Sequence, residues 1–114
     1  MAECIFCRIV EGAIPTKKIY EDEQVVAFDD INPQARVHVL VIPKQHVVSL
    51  DDTQDTDVAL LGQLMIVCAR LARERGLAES GYRVVANTGR EAGQSVFHLH
   101  LHVLGGRSFS WPPG

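Results

Sequence analysis

The sequence predicts an α+β domain in which a mostly antiparallel sheet of about five strands carries one long helix and one short one. Three observations point there. Apolar residues recur at helical spacing in one long segment, residues 55–75. Short β-rich runs flank it, separated by turn residues rather than by further long helices. Near the C-terminus, His98-Leu99-His100-Leu101-His102-Val103-Leu104 alternates imidazoles with aliphatic side chains, the period-two pattern of a strand with two unlike faces.

The elements follow in order. Residues 4–11 suit a short helix, closed by Gly12 and by Pro15 soon after. Lys17 to Glu21 and Gln24 to Asp29 read as two strands around the acidic turn Glu21-Asp22-Glu23, a hairpin. Asn32-Pro33 supplies turn chemistry in the segment 30–34. Val37 to Ile42 is so apolar that both faces of the strand are expected to be covered, and Pro43 stops it. From Asp55 to Arg75, Leu61, Leu64, Met65, Cys68, Leu71 and Ala72 form one helical face directed at a core. Asp51, Asp52, Asp55 and Asp57 cluster at the positive end of that helix dipole. Arg70, Arg73 and Arg75 gather at the negative end, and Gly76 can close the last turn. Tyr82 to Asn87 is another strand, and the polar loop 88–95 leads from it to the histidine strand.

The chain has 114 residues, enough for one domain spanning 1–114 whose small sheet would gain from pairing with a second copy. Formal net charge is −3 and the lysines and arginines are scattered, which argues against a nucleic-acid surface. The N-terminus is interrupted by charge before a signal-peptide run forms, and no stretch reaches transmembrane length, so a cytoplasmic protein is expected. Three cysteines do not make a disulfide framework. Cys68 fits a buried thiol on the long helix, which leaves Cys4-x-x-Cys7 to be explained as a metal-ligand pair, two reduced thiols or a redox pair.

The three histidines also admit more than one chemistry. Spaced roughly 7 Å apart on one strand face, they can be plain surface or core residues, metal ligands, or a site where a neutral imidazole attacks an electrophile such as phosphorus. Residue types alone do not choose among these.

The surrounding residues do carry a resemblance. Gly93-Gln94-Ser95-Val96-Phe97 followed by the histidine strand and Gly105-Gly106 resembles the signature of the histidine triad (HIT) superfamily. Ile5-Phe6-Cys7-Arg8-Ile9, Ile14-Pro15, Phe28 to Gln34, His38 to Pro43 and Trp111-Pro112-Pro113-Gly114 extend it over essentially the whole chain, and together they resemble the Hint branch of nucleotide-binding members. The resemblance implies the HIT-like fold, a homodimer whose sheets join, a bound purine nucleotide, and hydrolysis of nucleoside phosphoramidates without an organic cofactor.

By the same resemblance His100 is the nucleophile toward the α-phosphorus, its Nδ1 proton held by a carbonyl of its own strand. His38 lies nearby, and His102 serves phosphate and leaving group. Asn87, Gly93, Ser95 and the Val96 amide are phosphate contacts, with Ser95 a donor toward the leaving amine, and Asp30 meets the ribose hydroxyls. Phe6, Ile9, Phe28 and Ile31 surround the base, although such residues are often simply core. Trp111, on the C-terminal tail, would reach the partner's site; its ordinary alternative is a frayed terminus. Cys4 and Cys7 with His46 and His98 correspond to a structural zinc set found in some HIT proteins and in the related galactose-phosphate uridylyltransferases.

Two functional classes therefore stand: a phosphoramidate hydrolase, with dinucleoside-polyphosphate hydrolysis as its neighbour and zinc hydrolysis through the triad behind it, or a nucleotide-binding module with little turnover.

Overall fold

The computed structural model describes residues 3–114. Helix α1 (Ile5–Val10) opens the fold, and the Cys4 thiol caps it by accepting the Cys7 backbone N–H at 3.4 Å. Strands β1 (Lys18–Glu21) and β2 (Val25–Asp29) form the expected hairpin. Asp22 organises its turn. One carboxylate oxygen accepts the backbone N–H groups of Gln24 and Val25, and the other accepts the Tyr20 hydroxyl and the Gln63 amide. Burial opposes ionisation there, yet these hydrogen bonds win and hold the carboxyl down at about 2.

Strand β3 (Val37–Pro43) follows, then two 3-10 turns at Leu50–Asp52 and Asp55–Asp57, helix α2 (Val58–Glu74), β4 (Tyr82–Val85) and β5 (Leu101–Gly105). All neighbours pair antiparallel in the order β1-β2-β3-β5-β4. This is the expected α+β architecture, a five-stranded antiparallel sheet with one long helix and one short one. No helix among the described residues is long and apolar enough to cross a membrane.

The sheet is covered on both sides, and the strand alternation sorts its residues between two cores. Val37, Val39, Val41, Leu101 and Val103 pack with Leu60, Leu64, Val67, Cys68 and Leu71 of α2. Phe6 and Ile9 of α1 cover part of the other face, with Val26, Phe28, Leu40 and Ile42. The central strand β3 is buried at every position, as its apolar sequence requires. Its His38 lies on the α1 side, between Val37 and Val39 of the helix side.

Three details differ from the sequence reading. Residues 55–57 form a 3-10 turn and the α-helix starts at Val58. Met65 points outward and is 51% exposed, whereas Val67 and Leu60 complete the buried face; the 3.6-residue period fixes the face's width but not which edge residue the core reaches. Finally, the regular ladder begins at Leu101, not His98. Continuing the β3–β5 register from Val41↔Leu101 would set Leu99 opposite Pro43, which has no N–H to give. Leu99 instead donates its N–H to the Val47 carbonyl.

Candidate active site

On the sheet face opposite α2, a cavity of about 400 Å³ lies between α1, the end of β2 and the histidine segment. Phe6, Ile9, Phe28 and Leu40 give it an apolar body, and the Phe6 and Phe28 rings meet edge to face at 5.5 Å. Asp30, Ser95, Val96, His100 and His102 bring polar groups to the same cavity. An apolar slot with convergent polar groups at one end is the usual form of a small-molecule site.

The hydrogen bonds assign the imidazole protons. His100 Nδ1 lies 2.7 Å from the His98 carbonyl, which can only accept, so Nδ1 carries the proton and Nε2 holds a lone pair. His38 Nδ1 accepts the Gln34 backbone N–H at 3.0 Å, so its own proton is on Nε2. That nitrogen faces His102 Nδ1 at 2.8 Å and donates to it, with an Asp30 carboxylate oxygen 3.4 Å away. His102 is thereby left with its proton on Nε2. Among the described residues this buried nitrogen has no hydrogen-bond partner. A buried unpaired donor is costly and calls for an acceptor from outside the chain.

Burial, with the neighbouring His100 and His38 acting in the same direction and Asp30 against them, holds His102 down at about 4. Burial also lowers His38, opposed by Asp30. Near neutral pH both rings are neutral, so His102 acts as an oriented N–H donor rather than as a cation.

The first triad histidine has turned elsewhere. His98 is fully buried and donates Nε2–H to the Pro43 carbonyl at 2.8 Å, which leaves its Nδ1 lone pair free. That Nδ1 lies 3.3 Å from Cys4 Sγ, 3.6 Å from Cys7 Sγ and 3.2 Å from His46 Nδ1, and Cys7 Sγ lies 3.2 Å from His46 Nδ1. A tetrahedral ion with N and S ligands at ordinary bond lengths has ligand-to-ligand edges of about 3.3–3.8 Å. The four atoms, all within 4.8 Å of one another, therefore fit a metal of that geometry. Burial first and the Cys4 thiol beside it second push the Cys7 thiol up to about 11; a bound cation reverses that preference by stabilising the thiolate.

Other expected residues lie at varying distance from the slot. Ile31 stands at its mouth, fully exposed rather than packed. Asn87, half-buried, sits two residues beyond β4 outside the lining, and Gly93 turns the preceding loop at φ +82°. Trp111 is 81% exposed on the tail and does not line the slot of its own chain. Two further residues support the site in ways that the sequence does not signal. Gln94 is buried and holds the loop together, its amide donating to the Val48 and Val96 carbonyls while its oxygen accepts the Gly89 N–H. Gln34 fixes the His38 tautomer through its backbone, which no side-chain pattern reveals.

A family model described as HIT domain matches residues 11–109. The chain belongs to that family. Over all of both chains it is 50% identical to an uncharacterized HIT-like protein of Synechocystis sp.. It also superposes on the crystal structure of a HIT family hydrolase from Legionella pneumophila with a TM-score of 0.96 at 47% identity, covering 98% of this chain and 100% of that one. For a histidine triad protein from Clostridium difficile the TM-score is 0.92 at 43% identity, with 96% of each chain covered. The HIT domain here is thus similar to its relatives across nearly its full length.

Proposed function

We propose that this HIT domain hydrolyses purine nucleoside phosphoramidates through a nucleotidyl-histidine intermediate. The observation that carries the reading is the pair of nitrogens at the polar end of the slot: His100 Nε2 with a free lone pair, His102 Nε2 with an unpartnered proton. The base would lie between Phe6, Ile9 and Phe28, and the ribose hydroxyls against Asp30. The phosphate would meet His102, Ser95 and the Val96 amide, with Asn87 and Gly93 shaping the approach.

The His100 Nε2 lone pair forms a bond to phosphorus as the phosphorus–amine bond breaks. The departing nitrogen takes a proton from the exposed Ser95 hydroxyl, which solvent restores, and leaves as the free amine. His102 Nε2–H donates to a phosphate oxygen as charge gathers there. Water then attacks the same phosphorus, the phosphorus–His100 bond breaks, and water's released proton balances the one consumed. The products are amine and nucleoside monophosphate.

The Cys4, Cys7, His46 and His98 set is proposed to hold zinc. Four protein ligands close the coordination shell, so the ion would supply folding stability rather than Lewis-acid chemistry. It would tie the start of α1 to the segment whose carbonyl orients His100. The homodimer is proposed on two further grounds: among the described residues β4 is an edge strand with no neighbour on its outer side, and Met65 and Ile66 leave an exposed apolar face on α2 beside Gly62. A second copy pairing along β4 would cover both and give Trp111 a surface to pack on.

The test of the central reading is turnover of adenosine 5'-phosphoramidate. Wild-type protein is expected to release AMP, and His100→Ala to bind AMP but release none. Wild-type binding without turnover would favour a nucleotide-binding module, and faster cleavage of diadenosine polyphosphate would move the assignment to that substrate class.

A further inference from the structure

Beside the nucleotide slot a second cavity, of about 640 Å³, opens at the N-terminal end of α1. The two share Ile5, Ser95 and Val96 as a common wall. Glu3, Cys4, His46 and Phe97 complete its lining. Ile5 and Phe97, two large apolar side chains in that lining, are 49% and 57% exposed. Glu3 is exposed, and no ion pair engages it among the described residues.

Displacement at phosphorus places the leaving atom on the side opposite the attacking one. The Ser95 hydroxyl, proposed above to protonate the leaving amine, is exposed, which puts the departing amine at the wall formed by Ser95 and the half-buried Val96. That wall is the one the second cleft shares. We infer that the Glu3–Ile5–Phe97 cleft is the leaving-group subsite, and that it selects amines carrying an extended apolar chain with a cationic end. Ile5 and Phe97 would cover the chain and Glu3 would meet the positive charge. Bond making and breaking remain as described above, and the cleft contributes binding alone. The inference rests on the phosphoramidate reading.

Three AMP conjugates separate the two claims: the unsubstituted phosphoramidate, the monoamide of hexane-1,6-diamine, which keeps a free ammonium, and the amide of 6-aminohexanoate, which ends in a carboxylate. The two long conjugates release primary alkylamines of the same chain length, so their ratio reports mainly on the terminal charge. Wild-type kcat/KM is expected to favour the ammonium conjugate by roughly three- to tenfold, the scale of an exposed charge contact exchanged for a repulsion. Glu3→Lys should reverse that preference. Phe97→Ala should lower kcat/KM for both long conjugates by about fivefold, through lost apolar cover, and leave the unsubstituted substrate unchanged, which also shows that the variant is folded. Unchanged ratios in both variants, with normal turnover of the unsubstituted substrate, overturn the subsite while the hydrolase reading stands. No AMP release by wild-type protein from any conjugate overturns the hydrolase reading and the cleft's role together.

Discussion

Replacing His38 with leucine tests the proton assignment at its most sensitive point. His38 is 5% exposed and makes two hydrogen bonds, accepting from Gln34 and donating to His102. Leucine keeps the bulk and removes both. The Gln34 N–H then loses its acceptor and His102 Nδ1 its donor, a stability cost of about 1–3 kcal/mol. The larger consequence is at His102. Its site penalises the cation, so the ring stays neutral. The Asp30 carboxylate, within 4.8 Å in the same cluster, becomes the acceptor that draws the His102 proton to Nδ1. His102 Nε2 would then face the phosphate with a lone pair instead of a proton. Loss of one oriented donor to a developing oxyanion costs roughly 100-fold in rate, equivalent to about 2.7 kcal/mol. Steady-state hydrolysis of adenosine 5'-phosphoramidate should therefore show kcat reduced about 100-fold with KM little changed, and nitrogen-15 NMR of His102 should report the tautomer switch. A kcat within threefold of wild type, or a switched tautomer without loss of kcat, would refute the assignment.

Three further outcomes follow from the packing and the titrating groups. Cys7→Ser is expected to abolish the stoichiometric metal found by elemental analysis of protein purified without chelators and to lower the Tm; equal zinc content in both proteins would remove Cys7 from the ligand set. Because burial puts His102 at about 4, below its ordinary 6.5, the unfolded chain binds more protons between those values. Stability should thus be complete above about pH 6.5 and fall as the pH drops toward 4, with His102 contributing on the order of 3 kcal/mol and His38 acting in the same direction. Urea midpoints at pH 7.5, 6 and 5 check this, and a flat profile contradicts it. A Cβ at Gly105 would stand 2.5 and 2.8 Å from the two terminal carbons of the fully buried Leu77. Gly105→Ala should therefore cost about 1–3 kcal/mol in chemical denaturation, and an unchanged midpoint would show that Leu77 can move aside.

Much of the fold was legible because its signals are local. The hairpin at Asp22, the buried strand β3 and the long helix each announce themselves in the period of their own side chains. The errors fall where a local period meets a distant partner. Met65 belongs to the helical pattern but lies beyond the reach of the sheet. His98 belongs to the alternation, but Pro43 across the sheet offers no N–H to extend the ladder. The site was legible as a set of residue types, and the resemblance proposed their roles. Gln34 and Gln94 escaped because one acts through its backbone and the other through a loop that exists only once folded.

The sequence by itself determined that imidazoles and aliphatic side chains alternate, that the imidazoles therefore oppose the α2 core, and that two thiols stand one helical turn apart. Those properties depend on spacing along a few residues of backbone. Only the tertiary structure decided what each imidazole does. Cys4 and His98, 94 positions apart in the chain, meet at 3.3 Å. Gln34, His38 and His102 line up so that one proton is left without an acceptor. A ring nitrogen becomes donor, acceptor or metal ligand according to the atom placed opposite it, and folding places that atom.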